Sequence, residues 1–169
     1  MKFNQESRFY QFRTNAVDEE LLLTEIEGEE GISMPFYFKC TILSTNKNLT
    51  AADLLGSNAS IILCQKSPNP RTINGIVTSF KCGAIDQRGL RSYSLVLEPW
   101  LSILKHTHGC QIFQNKTVID IFIQVCEDLN CFDVDLSGLD DIKDKMPIIS
   151  YSVQYNETSL NFIQRILAD

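Results

Sequence analysis

The first hundred residues consist of short segments in which apolar and polar side chains alternate, and this repetition constrains the fold more than any other feature of the chain. Successive side chains of a strand point to opposite faces, so Tyr93, Leu95 and Leu97 are expected to share one face. About six short strands separated by turn signals are typical of a small β-barrel or a sandwich. The predicted strands are Arg8–Arg13, Leu21–Gly28, Pro35–Leu43, Ala59–Cys64, Thr72–Phe80 and Leu90–Leu97.

Turn-forming residues separate these strands. Thr50 is a good helix N-cap, and Gly56 can end the following helical turn in a left-handed conformation. Ser67–Pro70 is predicted to be a turn, and Asp86–Gly89 a loop between two strands. Gly75 lies inside a predicted strand, which indicates either a bulge or a close backbone approach of the kind that small barrels need at corners.

The periodicity changes after Pro99. Apolar residues at helical spacing predict an amphipathic helix over Lys116–Asn130. Ile148–Tyr155 alternates like a strand, and Thr158 is positioned to cap a last helix that runs to Asp169. We therefore predict a mainly β protein with an α+β part: a small β-barrel in residues 1–100, followed by the start of an α/β domain in residues 101–169. Since no stop signal follows the last helix, we expect the chain to be a piece of something longer.

Charge and hydropathy exclude two classes of partner. The formal net charge is -6 and no basic stripe is present, so the chain lacks the footprint of a nucleic-acid-binding protein. No segment approaches the roughly 20 apolar residues that a membrane-spanning helix needs, so we expect no stable membrane insertion. The polar N-terminus lacks the apolar core of a signal peptide, which predicts synthesis and folding in the cytoplasm.

The cysteines are predicted to be structural. Cys40, Cys64 and Cys82 fall in apolar, strand-like runs, and Cys126 falls on the apolar face of the first predicted long helix. A reduced cysteine behaves as a small hydrophobic residue, so all four are assigned to the core. The chain has no Cys-x-x-Cys pair, and the spacing of Cys126 and Cys131 is not that of a zinc knuckle.

One cluster contains residues of the metal-ligand type. His106, His108 and Cys110 would project to the same side of an extended segment and imitate a zinc site, but no fourth ligand lies nearby. We predict a solvated connector instead.

A hydrolase would need a histidine in a supported catalytic triad. The acidic segments Asp133–Asp135 and Asp140–Asp141 lack the spacing of a calcium-binding EF-hand and are predicted to be solvated loop. We therefore predict no catalytic, cofactor-binding or metal-binding residues, and we predict that the protein is not an enzyme.

A set of segments gives the chain a family resemblance. Each segment alone is a generic strand or helix start, but their order and spacing together resemble the N-terminal hub region of VgrG proteins, the type VI secretion system spike family, which is itself similar to the phage baseplate hub. The segments are Glu27–Phe38, Asn74–Phe80, Tyr93–Leu101, Ile112–Ile121 and Val153–Ile163.

The resemblance implies a structural role. In that family, two similar barrels from each of three chains form a ring of pseudo-sixfold symmetry between a hexameric tube and a threefold spike. The implied partners are further copies of the full-length parent in a homotrimer, the hexameric tube protein, baseplate proteins and effectors. The implied location is cytoplasmic assembly, followed by translocation by the contractile machine without a signal peptide. The alternatives are a tail baseplate hub of a contractile phage or phage-like particle, and an unrelated metal- or small-molecule-binding barrel domain.

Overall fold

The structure is a computed structural model that describes Gln5 and residues 8–18, 21–32, 34–64, 70–129, 138–139, 142 and 145–168. The chain forms two compact units, Met1–Trp100 and Leu101–Asp169. Several predicted features lie wholly or mostly outside the described residues: the turn at Ser67–Pro70, the acidic segments Asp133–Asp135 and Asp140–Asp141, and Cys131. No helix among the described residues is long and apolar enough to cross a membrane.

The first unit is a curled, six-stranded antiparallel sheet, which confirms the mainly β prediction. Each predicted strand is present, with ends that differ by a few residues. Its elements are β1 (Tyr10–Thr14), β2 (Leu22–Gly31), β3 (Met34–Ser44), α1 (Ala51–Leu54), β4 (Asn58–Leu63), β5 (Arg71–Ile85) and β6 (Arg91–Glu98). The strand order across the sheet is β1-β4-β5-β6-β3-β2.

The core of this unit lies on one face of the curled sheet. Tyr93, Leu95 and Leu97 of β6 are each 0% exposed and belong to a single apolar cluster, as the alternation predicted. Full burial of a large apolar side chain contributes about 1.5–3 kcal/mol, so the shared face of β6 is a main source of stability. The hydroxyl of Tyr93 donates a hydrogen bond to the carbonyl of Asn46 at 2.8 Å, which satisfies the one polar atom of that buried side chain.

The predicted helical turn is α1. The carboxylate of Asp53 accepts hydrogen bonds from the backbone N–H and the hydroxyl of Thr50, at 2.7 and 2.8 Å. Gly56 follows with φ 77°, the left-handed conformation that its lack of a side chain permits. The turn therefore begins and ends as its cap residues predicted.

Gly75 is a site of close backbone approach rather than a bulge. The ladder between β4 and β5 runs through the pair Ala59 and Gly75 without a register shift. A Cβ atom on Gly75 would lie 2.4 Å from the carbonyl oxygen of Glu98 and 3.0 Å from Cζ of Phe36. The register shifts of β5 lie further along the strand, between Val77 and Ser79 and between Cys82 and Ile85.

We expect Gly75→Ala to destabilise the first unit by about 1–3 kcal/mol, because the new methyl group meets a backbone carbonyl that cannot move without shifting β6. Gly138→Ala is the matched control, since a Cβ there meets nothing within 4 Å. Urea unfolding followed by circular dichroism measures both changes. Equal transition midpoints for the two variants would show that the close approach is not needed.

The second unit combines a two-stranded antiparallel sheet with helices. Its described elements are a 3-10 helix (Trp100–His106), β7 (His108–Lys116), α2 (Val118–Asp128), β8 (Ile149–Thr158) and α3 (Ser159–Ala168). The helix α2 begins where a capping box forms, because the hydroxyl of Thr117 accepts the N–H of Asp120 at 3.1 Å while the Asp120 carboxylate accepts the N–H of Thr117. The Thr158 hydroxyl likewise accepts the N–H of Asn161 at 3.1 Å, which confirms the predicted cap of the last helix.

The apolar residues of this unit form their own core. The rings of Phe113 from β7 and Phe162 from α3 stack with their centroids 5.3 Å apart. The other buried members are Leu104, Ile121, Val125, Ile163 and Ile166. Both predicted helices therefore bury their apolar faces against the same side of the β7–β8 sheet.

The prediction of a connector at residues 106–110 is wrong in one respect. His108–Cys110 are the first residues of β7 and pair with β8, from Thr158 to Tyr155. The strand was missed because Phe113 is its only fully buried residue, so β7 lacks the alternation that marks a half-buried strand. The solvent exposure predicted for His106, His108 and Cys110 is confirmed.

Candidate functional site

The structure separates the three residues that imitate a metal site. His106 ends the 3-10 helix, whereas His108 and Cys110 belong to β7. A register shift between Gly109 and Cys110 interrupts the regular alternation there. The Sγ atom of Cys110 accepts the N–H of Asn156 at 3.4 Å. No group of three or more His, Cys, Asp or Glu side chains in the described part of the chain could hold a metal ion.

We expect purified protein to bind less than a tenth of an equivalent of zinc, a level far below the full occupancy of a structural zinc site. The double variant His106→Ala/His108→Ala should give the same value as the unchanged protein, because neither imidazole belongs to a ligand cluster. Inductively coupled plasma mass spectrometry after dialysis measures the metal. Stoichiometric zinc that disappears in the double variant would instead support a metal-binding barrel.

The cysteines differ in accessibility. Cys40 and Cys126 are buried, and burial raises the pKa of Cys40 to about 12, which makes its thiol unreactive at neutral pH. Cys64 is half-buried. The core assignment is wrong for Cys82, which is exposed and donates to the carbonyl of Leu49 at 3.7 Å. It pairs with Tyr93 and lies at the start of a register shift that runs to Ile85.

The loop between β5 and β6 is held by one carboxylate. Oδ1 of Asp86 accepts the backbone N–H groups of Arg88 and Leu90, each at 2.9 Å, and Oδ2 pairs with the Arg88 guanidinium. The hydrogen bond from Leu90 is the largest of the contacts that lower the pKa of Asp86, and those from Arg88 add to it. Gly89 adopts φ 79° within this loop. The ionised carboxylate therefore fixes the turn.

We expect this contact to make stability depend on pH. Because the folded pKa of Asp86 is lowered, its contribution is present above the unfolded value of about 4 and is lost as the pH falls through the folded pKa. Asp86→Asn should therefore be less stable than the unchanged protein near neutrality, and the difference should shrink as the solution is acidified. Urea unfolding at a series of pH values measures it, with Asp18→Asn as the matched control. A difference that is constant with pH would contradict the role of the ionised carboxylate.

The outer face of β7 and β8 is apolar and exposed. The cross-strand pairs on this face are Cys110 with Tyr155, Ile112 with Val153, and Gln114 with Tyr151. Tyr155 is 79% exposed, Ile112 61% and Tyr151 55%. Contiguous exposed apolar surface of this kind marks interaction sites in soluble proteins. This exposed surface was not predicted from the sequence, although the alternation of tyrosine and valine in β8 is a signal for it.

The β2–β3 hairpin carries a second exposed surface. On β2 the residues beyond Gly28 are exposed and Ile32 at the tip is 100% exposed, whereas Phe36 on β3 is half-buried and packs against the core. A Cβ on Gly28 would lie 2.1 Å from the carbonyl oxygen of Tyr37, so the two strands approach too closely there for any side chain. Arg71 of β5 forms an ion pair with Glu30 and ties the hairpin to the sheet. The exposed part of the hairpin is thus its β2 strand and its tip.

The first unit is a curled antiparallel sheet and the second combines helices with a two-stranded sheet, and each carries exposed apolar side chains. The sequence model described as the phage tail baseplate hub matches residues 29–169. The chain belongs to that family.

Several similar proteins are type VI secretion system spike proteins. The type VI secretion system spike proteins VgrG1b and VgrG1c of Pseudomonas aeruginosa are each 34% identical to this chain over 99% of its length. The actin cross-linking toxin VgrG1 of Vibrio cholerae is 27% identical over 90% of the chain. This confirms the resemblance to VgrG spike proteins. The chain spans about a fifth of the Pseudomonas relatives, 22% of each.

Solved structures agree on the fold. An Escherichia coli component of the type VI secretion system, described as similar to T4 bacteriophage tail proteins, superposes with a TM-score of 0.78 at 22% identity, covering 93% of this chain and 42% of that one. A tail protein from Neisseria meningitidis gives 0.57 at 15% identity, over 94% of this chain and 44% of that one. These identities are low, so the likeness concerns the fold.

Proposed function

We propose that this chain is the N-terminal hub part of a type VI secretion spike and joins the hexameric tube to the membrane-puncturing needle for effector delivery. The observation that carries the proposal is the 34% identity to two spike proteins over 99% of the chain, which includes both structural units. The role is mechanical scaffolding, and the protein acts without catalysis. The match to the phage tail baseplate hub family supports the same structural role.

The mechanism rests on symmetry. Three copies of the parent protein form a homotrimer, in which two barrels of similar shape per chain present quasi-equivalent surfaces to a sixfold tube. The curled sheet with its close approaches at Gly28 and Gly75 supplies a body that resists deformation. The partners are further copies of the parent, the tube protein, baseplate proteins and effectors. The complex assembles in the cytoplasm and leaves the cell with the contractile machine.

Deleting the gene from its host should abolish release of the tube protein into the medium, because the tube cannot assemble without its hub. Reintroducing the unchanged gene should restore release, measured by immunoblotting of culture supernatants. The double variant His106→Ala/His108→Ala should restore it equally, since a scaffold does not use these imidazoles. Undiminished release from the deletion strain would contradict the proposal.

A second candidate is the tail hub of a contractile phage or phage-like particle. The family description and the Neisseria tail protein favour it. In that case the deletion should remove tailed, DNA-filled particles from induced cultures and leave tube release by uninduced cells unchanged. Electron microscopy of purified particles separates the two candidates.

A further inference from the structure

The curled sheet has a seam between its first and last strands. β1 and β2 stand at opposite ends of the strand order, and no ladder pairs them among the described residues. Just before β1, the carbonyl of Phe9 accepts the N–H of Cys64, which follows β4. The backbone groups of successive residues in a strand point to opposite sides, so those of Phe12, three residues further on, point away from β4. Both Phe12 and Leu23 are buried, which means that their seam-facing backbone groups need partners.

One side chain supplies most of these partners. The Gln5 amide accepts the N–H of Phe12 at 3.0 Å through Oε1 and donates to the carbonyl of Phe12 at 3.0 Å through Nε2. The same Oε1 accepts the N–H of Leu23 at 3.4 Å. A primary amide carries one acceptor and donors on a planar group, as a peptide unit does. Gln5 thus reproduces the reciprocal pair that a neighbouring strand residue would make with Phe12.

Arg8 is the partner of the remaining seam-facing group, the carbonyl of Leu23. Nη1 of Arg8 donates to the carbonyl of Leu23 at 2.9 Å. The N–H and carbonyl groups of Phe12 and Leu23 are therefore all occupied by side chains. Gln5 itself is only 5% exposed, although it is polar, so its position is built into the fold rather than adopted on the surface.

We propose that the Gln5 side chain is a latch that takes the place of a strand between β1 and β2 and keeps both strand edges from pairing with another chain. Unpaired strand edges template association with other chains, and folded proteins block them by several devices. Here the block is a side-chain amide, which satisfies the edge without extending the sheet. This inference does not depend on the role of the chain in secretion.

Hydrogen exchange of individual amides tests the latch. In the unchanged protein, the amides of Phe12 and Leu23 should exchange at least about a hundredfold more slowly than in an unfolded peptide, because both donate to the Gln5 side chain. Gln5→Met keeps the size of the side chain and removes its hydrogen bonds. It should accelerate exchange at these two amides by about tenfold or more, while the amide of Leu95 in the central strand β6 keeps its rate.

Gln11→Met is the matched control. Gln11 is also a 5% exposed glutamine, on β1 itself, but it contacts Arg13 and not the seam. It should leave the exchange of Phe12 and Leu23 unchanged. Unprotected Phe12 and Leu23 amides in the unchanged protein would overturn the latch even if Gln5→Met does not fold.

Association tests the edge-blocking role. Sedimentation velocity at equal concentrations should show a larger self-associated fraction for Gln5→Met than for the unchanged protein or Gln11→Met. Accelerated exchange at the seam with no increase in association would overturn the protection of the edges. A larger associated fraction in both variants would overturn it as well, because the effect would then not be specific to the seam.

Discussion

The curled sheet depends on satisfying the backbone groups at the seam between β1 and β2. A buried peptide N–H or carbonyl without a partner costs about 1–3 kcal/mol, and four such groups meet here. That total is comparable to the whole stability of a small domain. The amide of Gln5 and the guanidinium of Arg8 offset this cost without a seventh strand.

The strands and helices could be predicted from sequence wherever burial imposes a period on the side chains. β6 and α2 each place apolar residues on one buried face, and both lie where their periodicity indicated. β7 could not be predicted because its outer face is apolar and its inner face holds a single buried phenylalanine. Its pattern therefore fits neither the strand period of two nor the helical period. The exposure of Cys82 could not be predicted because the register shift that begins there depends on the pairing of β5 with β6, which a local pattern does not encode. The role of Gln5 could not be predicted, because a glutamine before a strand is ordinary and only its tertiary contacts distinguish it.

The two exposed surfaces differ in construction. The outer face of β7 and β8 belongs to a two-stranded sheet, which is stable only because helices cover its other side. Its tyrosines present rigid, amphipathic area that needs few torsions to be fixed on contact. The β2–β3 hairpin instead belongs to the six-stranded sheet through the pairing of β3 with β6, and Phe36 packs against the core.

The strand order also determines which contacts of the first unit are local in the chain. β2 pairs with the next strand, β3, in a hairpin, whereas β1 pairs with β4 across the intervening β2 and β3. Contacts between remote segments form slowly because long loops must close before any pairing compensates the lost entropy. The contacts of Gln5 with Phe12 and Leu23 instead join residues that lie close together in the chain. The seam therefore needs less loop closure than the ladder between β1 and β4.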